Sequence, residues 1–195
     1  MTDVTDVVSS DDSFTTVRAR RWGRTRRQDR LAQDEEFTAF VAATAPGLRR
    51  TAYLMTRDWH LAQDLTQIAL AKMYSAWPRL WKTANLPAYA RKVLLNALFD
   101  QRRRRSDGEL VVADLPDRAG RRPDDGAELQ VALLDALASL PVRDQAIVVL
   151  RHWEDQSVET VAEILGVSVS VVKMQNMRSL ARLRAILGED FARNS

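Results

Sequence analysis

The sequence has no cysteine. That removes disulfides, thiol nucleophiles and cysteine-ligated zinc together, and it fits a reducing compartment. Histidine is nearly as scarce. His60 and His152 stand far apart with neither HxxxH nor HExxH spacing, so neither has the partner pattern of a metal ligand, and no metal or cofactor is expected. Glycine (7) and proline (6) are few, and alternating Val, Ile and Thr runs are scarce, which disfavours sheets. No apolar run approaches the ~18 residues a bilayer span needs. Met1 to Ser13 is acidic and polar without an apolar core, and the Arg-rich stretch from Arg18 to Arg30 follows that acidic start, so neither a secretory signal nor a transit peptide is expected. The expected location is cytoplasmic, without membrane insertion.

Hydrophobic residues make up 46% of the 195, enough to bury a core in one large domain or two small ones. The net charge of +3 is unevenly spread. Residues 1–33 carry 7 basic and 5 acidic groups, residues 34–105 carry 12 and 6, residues 106–127 carry 3 and 6, and residues 128–195 carry 7 and 9. Residues 1–33 have almost no apolar period and read as a disordered, Arg-containing tail. Residues 106–127, with two prolines, three glycines and six acids, read as a flexible acidic linker. The expectation is an all-α protein of two small helical domains, 34–105 and 128–195.

In the first domain, Phe37, Phe40, Val41, Thr44 and Leu48 recur at helical spacing, continuing through Tyr53 and Leu54 past Pro46-Gly47. A second helix is predicted from about Leu61 to Trp77, with Leu61, Leu65, Ile68, Ala69, Met73 and Trp77 inward and Pro78 as its stop. A third opens near Pro87 with Tyr89, Val93, Leu94, Ala97 and Leu98 inward. Its outer face holds Arg91, Lys92, Asn96 and Gln101 before the run Arg102, Arg103, Arg104, Arg105. With Trp77, Trp81 and Tyr89 nearby in sequence, cations and stacking surfaces interleave, as binding of splayed single-stranded bases requires.

The second domain reads as four helical segments: Leu129 to Leu140, Asp144 to Trp153, Ser157 to Leu165 and Ser168 to Leu187. Ala162, Gly166 and Val172 occupy the fifth, ninth and fifteenth positions of a helix-turn-helix. A small Ala lets the helices cross closely, Gly takes the left-handed turn, and Val172 anchors the second helix. Ser157 and Ser168 are suitable N-caps. Lys173, Gln175, Arg178 and Arg182 point outward, suited to phosphates and base edges in a major groove. Asn176 falls on the inward stripe between Val172 and Leu180. It must find a hydrogen-bond partner or leave the domain marginally stable.

Together the strings AQDLTQIALAKMYSAW, PAYARKVLLNALFDQRRRR, LASLPVRDQAIVVLRHWEDQSVETVAEILGVS and RSLARLR, in this order and separation, resemble the extracytoplasmic-function (group 4) branch of the sigma-70 family, in its SigE-like subgroup. The likeness covers residues 35–105 (region 2) and 128–187 (region 4). It implies a transcription initiation factor and not an enzyme. Asp64 and Gln67 match a D-x-x-Q motif on the helix that docks core RNA polymerase. Asn96 matches a position associated with a flipped base of the −10 element, while Arg91, Lys92 and Arg102 to Arg105 would hold the strand backbone. Ser168, Lys173, Gln175 and Arg178 would read the −35 element. The implied partners are core polymerase and promoter DNA, with an anti-sigma factor as the typical regulator. This chain departs from the pattern at Gln145, in place of a frequent Arg, and at Val171, Met174 and Met177, where small or polar residues are usual. A stand-alone helix-turn-helix repressor is the rival reading, though it needs neither the D-x-x-Q helix nor the Arg-ended helix. A recombinase-type enzyme lacks its catalytic set here.

Overall fold

The computed structural model describes residues 12–80, 85–108 and 125–194. Seven α-helices and one π turn account for the regular structure among them, with no strand: α1 (Asp12–Thr56), α2 (Trp59–Leu80), α3 (Leu86–Gly108), α4 (Asp125–Ala138), α5 (Val142–Val148), α6 (Val158–Leu165) and α7 (Val169–Asn194). The π turn, Val149–Trp153, continues α5. The expected all-α class is what forms. The chain divides into two compact units, residues 1–40 and 41–195.

In the first unit, α1 begins at Asp12, so the tail expected to be disordered to residue 33 is helical from that point. Arg, Ala, Gln and Glu are good helix formers, and a helix already nucleated gains one hydrogen bond per added residue. Residues 1–11 of that expected tail, Trp81, and residues 109–124 of the expected linker lie outside the described residues. The linker's ends are helical, since α3 extends to Gly108 and α4 starts at Asp125.

In the second unit, α1 passes through Pro46 and ends at Thr56. Arg57 then takes a left-handed conformation (φ 59°) and donates its backbone N–H to the Tyr53 carbonyl at 2.7 Å. Asp58 caps α2, accepting from Leu61 N–H at 3.0 Å. α2 runs three residues beyond its expected end, with Pro78 inside its last turn. Its buried face is Ala62, Leu65, Thr66, Ala69, Met73 and Trp77, while Ile68, expected inside, is exposed. The small Ala62 and Thr66 take the buried places instead, and Thr66 satisfies its hydroxyl on the Ala62 carbonyl at 2.7 Å. Asn85 caps α3 through Ala88 N–H at 3.1 Å, one position ahead of the cap that a proline at the first helical position predicts. Ala88, Ala90, Leu94, Leu95, Ala97 and Leu98 are buried on α3.

The helices α4 to α7 share a second core of Ala136, Leu137, Leu140, Val148 and Leu183, with Leu133, Ile186 and Leu187 packed against it. The helix-turn-helix forms as its spacing requires. Ser157 caps α6 by accepting from Thr160 N–H at 3.0 Å, and Gly166 ends α6 in the left-handed region (φ 65°, ψ 38°). Ser168 then accepts from Val171 N–H at 3.3 Å. Val172 is fully buried and Ala162 nearly so. No helix among the described residues is long and apolar enough to cross a membrane.

Candidate functional site

Three surfaces hold the residues that the sequence singles out. On α2, Asp64 and Gln67 are both exposed and lie on the side opposite the buried face. Ile68 (45% exposed) and Tyr74 (52%) share that side, so an apolar pair flanks the two polar residues. Sequence periodicity assigned Ile68 to the core and so missed it. Exposure of large apolar side chains beside a polar pair is the composition of a protein-docking patch.

On α3 the predicted DNA-facing residues separate into two faces. Successive residues turn by about 100°, which places Lys92, Asn96 and Arg103 on one outward side. Asn96 and Arg103 are exposed and Lys92 is half-buried; Arg103 pairs with Asp100 at 3.2 Å. Arg91 and Arg102 lie on another side, roughly 140° and 120° round from Asn96. Arg91 donates through Nε and Nη2 to Glu154 Oε2, at 3.2 and 2.8 Å. Arg102 donates to the Met55 carbonyl at 2.7 Å, helping to satisfy the end of α1. Burial and the neighbouring Arg105 charge lower the pKa of Arg102 from its ordinary value. Arg91 is therefore taken up by the chain itself, whereas Arg102, though bonded to the end of α1, remains exposed. Arg104 and Arg105 are exposed.

On the helix-turn-helix, Ser168, Lys173 and Arg178 are exposed and Gln175 is half-buried. Met174 (40% exposed) and Met177 (66%) stand at the crest of α7, between Lys173 on one flank and Arg178 on the other. Glu159, exposed in the first turn of α6, is held below the ordinary carboxylate range by its own backbone N–H and then by the Ser157 hydroxyl. Asn176 finds a partner, its Oδ1 lying 3.0 Å from His152 Nε2. The amide that looked misplaced in the sequence is thus paired across to the π turn. The buried polar residue of the α7 stripe is instead Ser179, 3% exposed, whose hydroxyl has no hydrogen-bond partner.

Gln145 is fully buried and donates from Nε2 to the Leu54 carbonyl at 3.0 Å. It therefore sits at the end of α1, as Arg102 does. Among the described residues no cluster of His, Asp or Glu could hold a metal ion.

Both helical parts of the chain resemble known proteins. Residues 40–107 match the family model for Sigma-70 region 2, and residues 130–183 match that for Sigma-70, region 4. The RNA polymerase sigma-E factor of Streptomyces antibioticus is 37% identical over 159 residues, covering 79% of this chain and 87% of that protein. Its counterpart in Streptomyces coelicolor is 37% identical over 153 residues, covering 76% and 84%. Among solved structures, the sigma factor RpoE of Bartonella quintana, in complex with the anti-sigma factor NepR, superposes with a TM-score of 0.64 at 26% identity. That match covers 79% of this chain and 98% of the other. CnrH, bound to the cytosolic domain of CnrY, shares the fold at a TM-score of 0.63 and 22% identity.

Proposed function

The chain belongs to the sigma-70 family of RNA polymerase specificity subunits, and we propose that it directs promoter-specific initiation through the three surfaces described above. The outer side of α2, with Asp64, Gln67 and Ile68, docks core polymerase. The Lys92–Asn96–Arg103 side of α3 holds the opened −10 strand, with Asn96 supplying polar contacts to a flipped base and Arg104 and Arg105 extending the cationic end. The α6–α7 pair reads the −35 element through Ser168, Lys173, Gln175 and Arg178. Arg91 would join the strand contacts only after release from Glu154, whereas Arg102 stays exposed beside Arg103. The protein acts by binding, without catalysis of its own, and an anti-sigma factor is the proposed regulator, in keeping with the NepR-bound relative.

The observation that carries this reading is the occurrence on one chain of a region 2 match with an exposed Asp64–Gln67 side and a formed helix-turn-helix. A stand-alone repressor accounts for the second and leaves the first without a purpose. The test is in vitro transcription of fragmented genomic DNA by core polymerase, with and without this protein. Discrete start sites that depend on the protein support the reading, and their absence refutes it.

A further inference from the structure

Two large apolar side chains stand in solvent on the helix that is proposed to enter DNA. Met177 is 66% and Met174 40% exposed, and both lie on the side of α7 away from its buried line, Val172, Ser179 and Leu183. Ser170 and Ala181 come before and after them on the same side, both small and both exposed. The two methionines are therefore the largest groups on the crest. Lys173 and Arg178 flank them, Arg182 and Arg184 follow, and neither Asp nor Glu occurs in the sequence from Ser168 to Gly188. An apolar crest rimmed only by cations complements a surface that has apolar groups on its floor and anions along its walls. The major groove of a thymine-containing duplex is such a surface.

The polar groups of α7 are less available to a base edge. The Ser168 hydroxyl accepts from Val171 N–H at 3.3 Å as a cap and lies 2.9 Å from the Ser170 hydroxyl. Gln175 is half-buried, and Asn176 is held by His152. Lys173 and Arg178 carry the charge that phosphates attract, but phosphate contacts position a protein without telling one base from another. Reading sequence then falls to the groups at the crest.

We propose that Met174 and Met177 determine specificity by contacting the 5-methyl groups of two neighbouring thymines in the major groove of the −35 element. The proposal rests on the assignment of α6–α7 to that element. Among the base edges of the major groove, the thymine methyl is the apolar mark, and the minor groove lacks it. The two methionines, three residues apart, are separated by about 4.5 Å along the helix axis, close to the roughly 3.4 Å step between base pairs. A recognition helix presents its N-terminal residues to the bases, and both methionines fall within the first three turns of α7. The unbranched thioether side chain has three rotatable bonds, so it can follow a methyl group on either strand.

The test uses the full chain with core RNA polymerase from Streptomyces coelicolor. The probes are synthetic duplexes that carry an open bubble and a randomised segment upstream of it, captured on filters and sequenced. Captured duplexes should be enriched in adjacent thymines within the randomised segment. The enriched duplex is then remade with deoxyuridine at those thymines, which removes the methyl groups and keeps every hydrogen-bonding group. Affinity should fall about fourfold for each methyl, the factor that burial of one CH2-sized group supplies, and about fifteenfold for two. Met174→Gln with Met177→Gln keeps side-chain length and helix propensity. That double variant should bind thymine and deoxyuridine duplexes alike, with unchanged helicity by circular dichroism. Met174→Leu with Met177→Leu should restore a preference for thymine, a rescue that a purely structural role would not give. Equal affinity of the wild type for the two duplexes overturns the methionine readout and leaves the crest to an apolar protein partner. A double Gln variant that still discriminates overturns it as well. If the chain captures no duplexes beyond those that core polymerase holds alone, the sigma reading itself fails, and this inference fails with it.

Discussion

Residue by residue, the polar groups inside the protein have unequal claims. Ser179 is buried with an unbonded hydroxyl in the middle of α7, whereas Asn176 one turn earlier is half-exposed and paired. Ser179→Ala removes a desolvated hydroxyl and improves helix propensity, so it should stabilise the chain by about 1 kcal/mol in urea denaturation. Asn176→Leu, which sequence periodicity alone would nominate as stabilising, exchanges an exposed hydrogen bond for apolar surface and should move the melting point little. A larger gain from Asn176→Leu than from Ser179→Ala would reverse this assignment. Gln145 is the opposite case. Truncation to Ala leaves a cavity and an uncapped Leu54 carbonyl, so it should cost about 2–4 kcal/mol. The family's usual Arg at this position would have to compete for α1 carbonyls that Arg102 already occupies.

At the level of helices, sequence and structure agree where a position's meaning is local. Ser157, Gly166 and Ser168 take the conformations their chemistry demands because caps and left-handed turns are decided within a few residues. Faces are decided between helices, and there the periodicity is ambiguous by one position. Ile68 and Thr66 lie two residues apart on α2, yet Thr66 goes inside with its hydroxyl bonded to the Ala62 carbonyl and Ile68 stays exposed. Likewise, an arginine-rich helix announces charge without saying which arginines are already committed. That Arg91 turns inward and Arg102 bonds a carbonyl at the end of α1 became legible only with Glu154 and that helix end in place. Two variants separate the helices' proposed roles. Ile68→Arg on the side proposed to face polymerase should weaken core binding by about tenfold or more with helicity intact, since an apolar contact would become a buried charge. Asn96→Ala should spare core binding and reduce promoter opening in permanganate footprints. If both variants lose core binding equally, the two sides of region 2 are not functionally distinct.

For the molecule as a whole, the polar contact between the two parts decides how it unfolds. An interface held by Glu154, Arg91 and Gln145 is more polar than a domain core and resembles the separable interfaces between domains of one chain. Removing one partner of a buried ion pair commonly costs about 3–5 kcal/mol, because the other charge is left without water or counter-charge. That figure assumes that the stranded group cannot escape. Here it can: if the parts undock, Arg91 or Glu154 regains solvent, so the cost cannot exceed the free energy of docking. Glu154→Ala and Arg91→Ala should therefore each cost less than about 3 kcal/mol, and the double variant little more than either alone. The same argument fixes the shape of the transition. The wild type should unfold in urea as one cooperative step, since the two parts support each other, whereas either single variant should show two steps or a lowered slope as region 2 and region 4 melt independently. Circular dichroism and intrinsic tryptophan fluorescence, which weights region 2 because four of the five tryptophans precede region 4, provide two probes for that comparison. Coincident transitions in the variants, with a loss of about 3–5 kcal/mol in each, would mean that the parts cannot separate and that the contact belongs to a single rigid core.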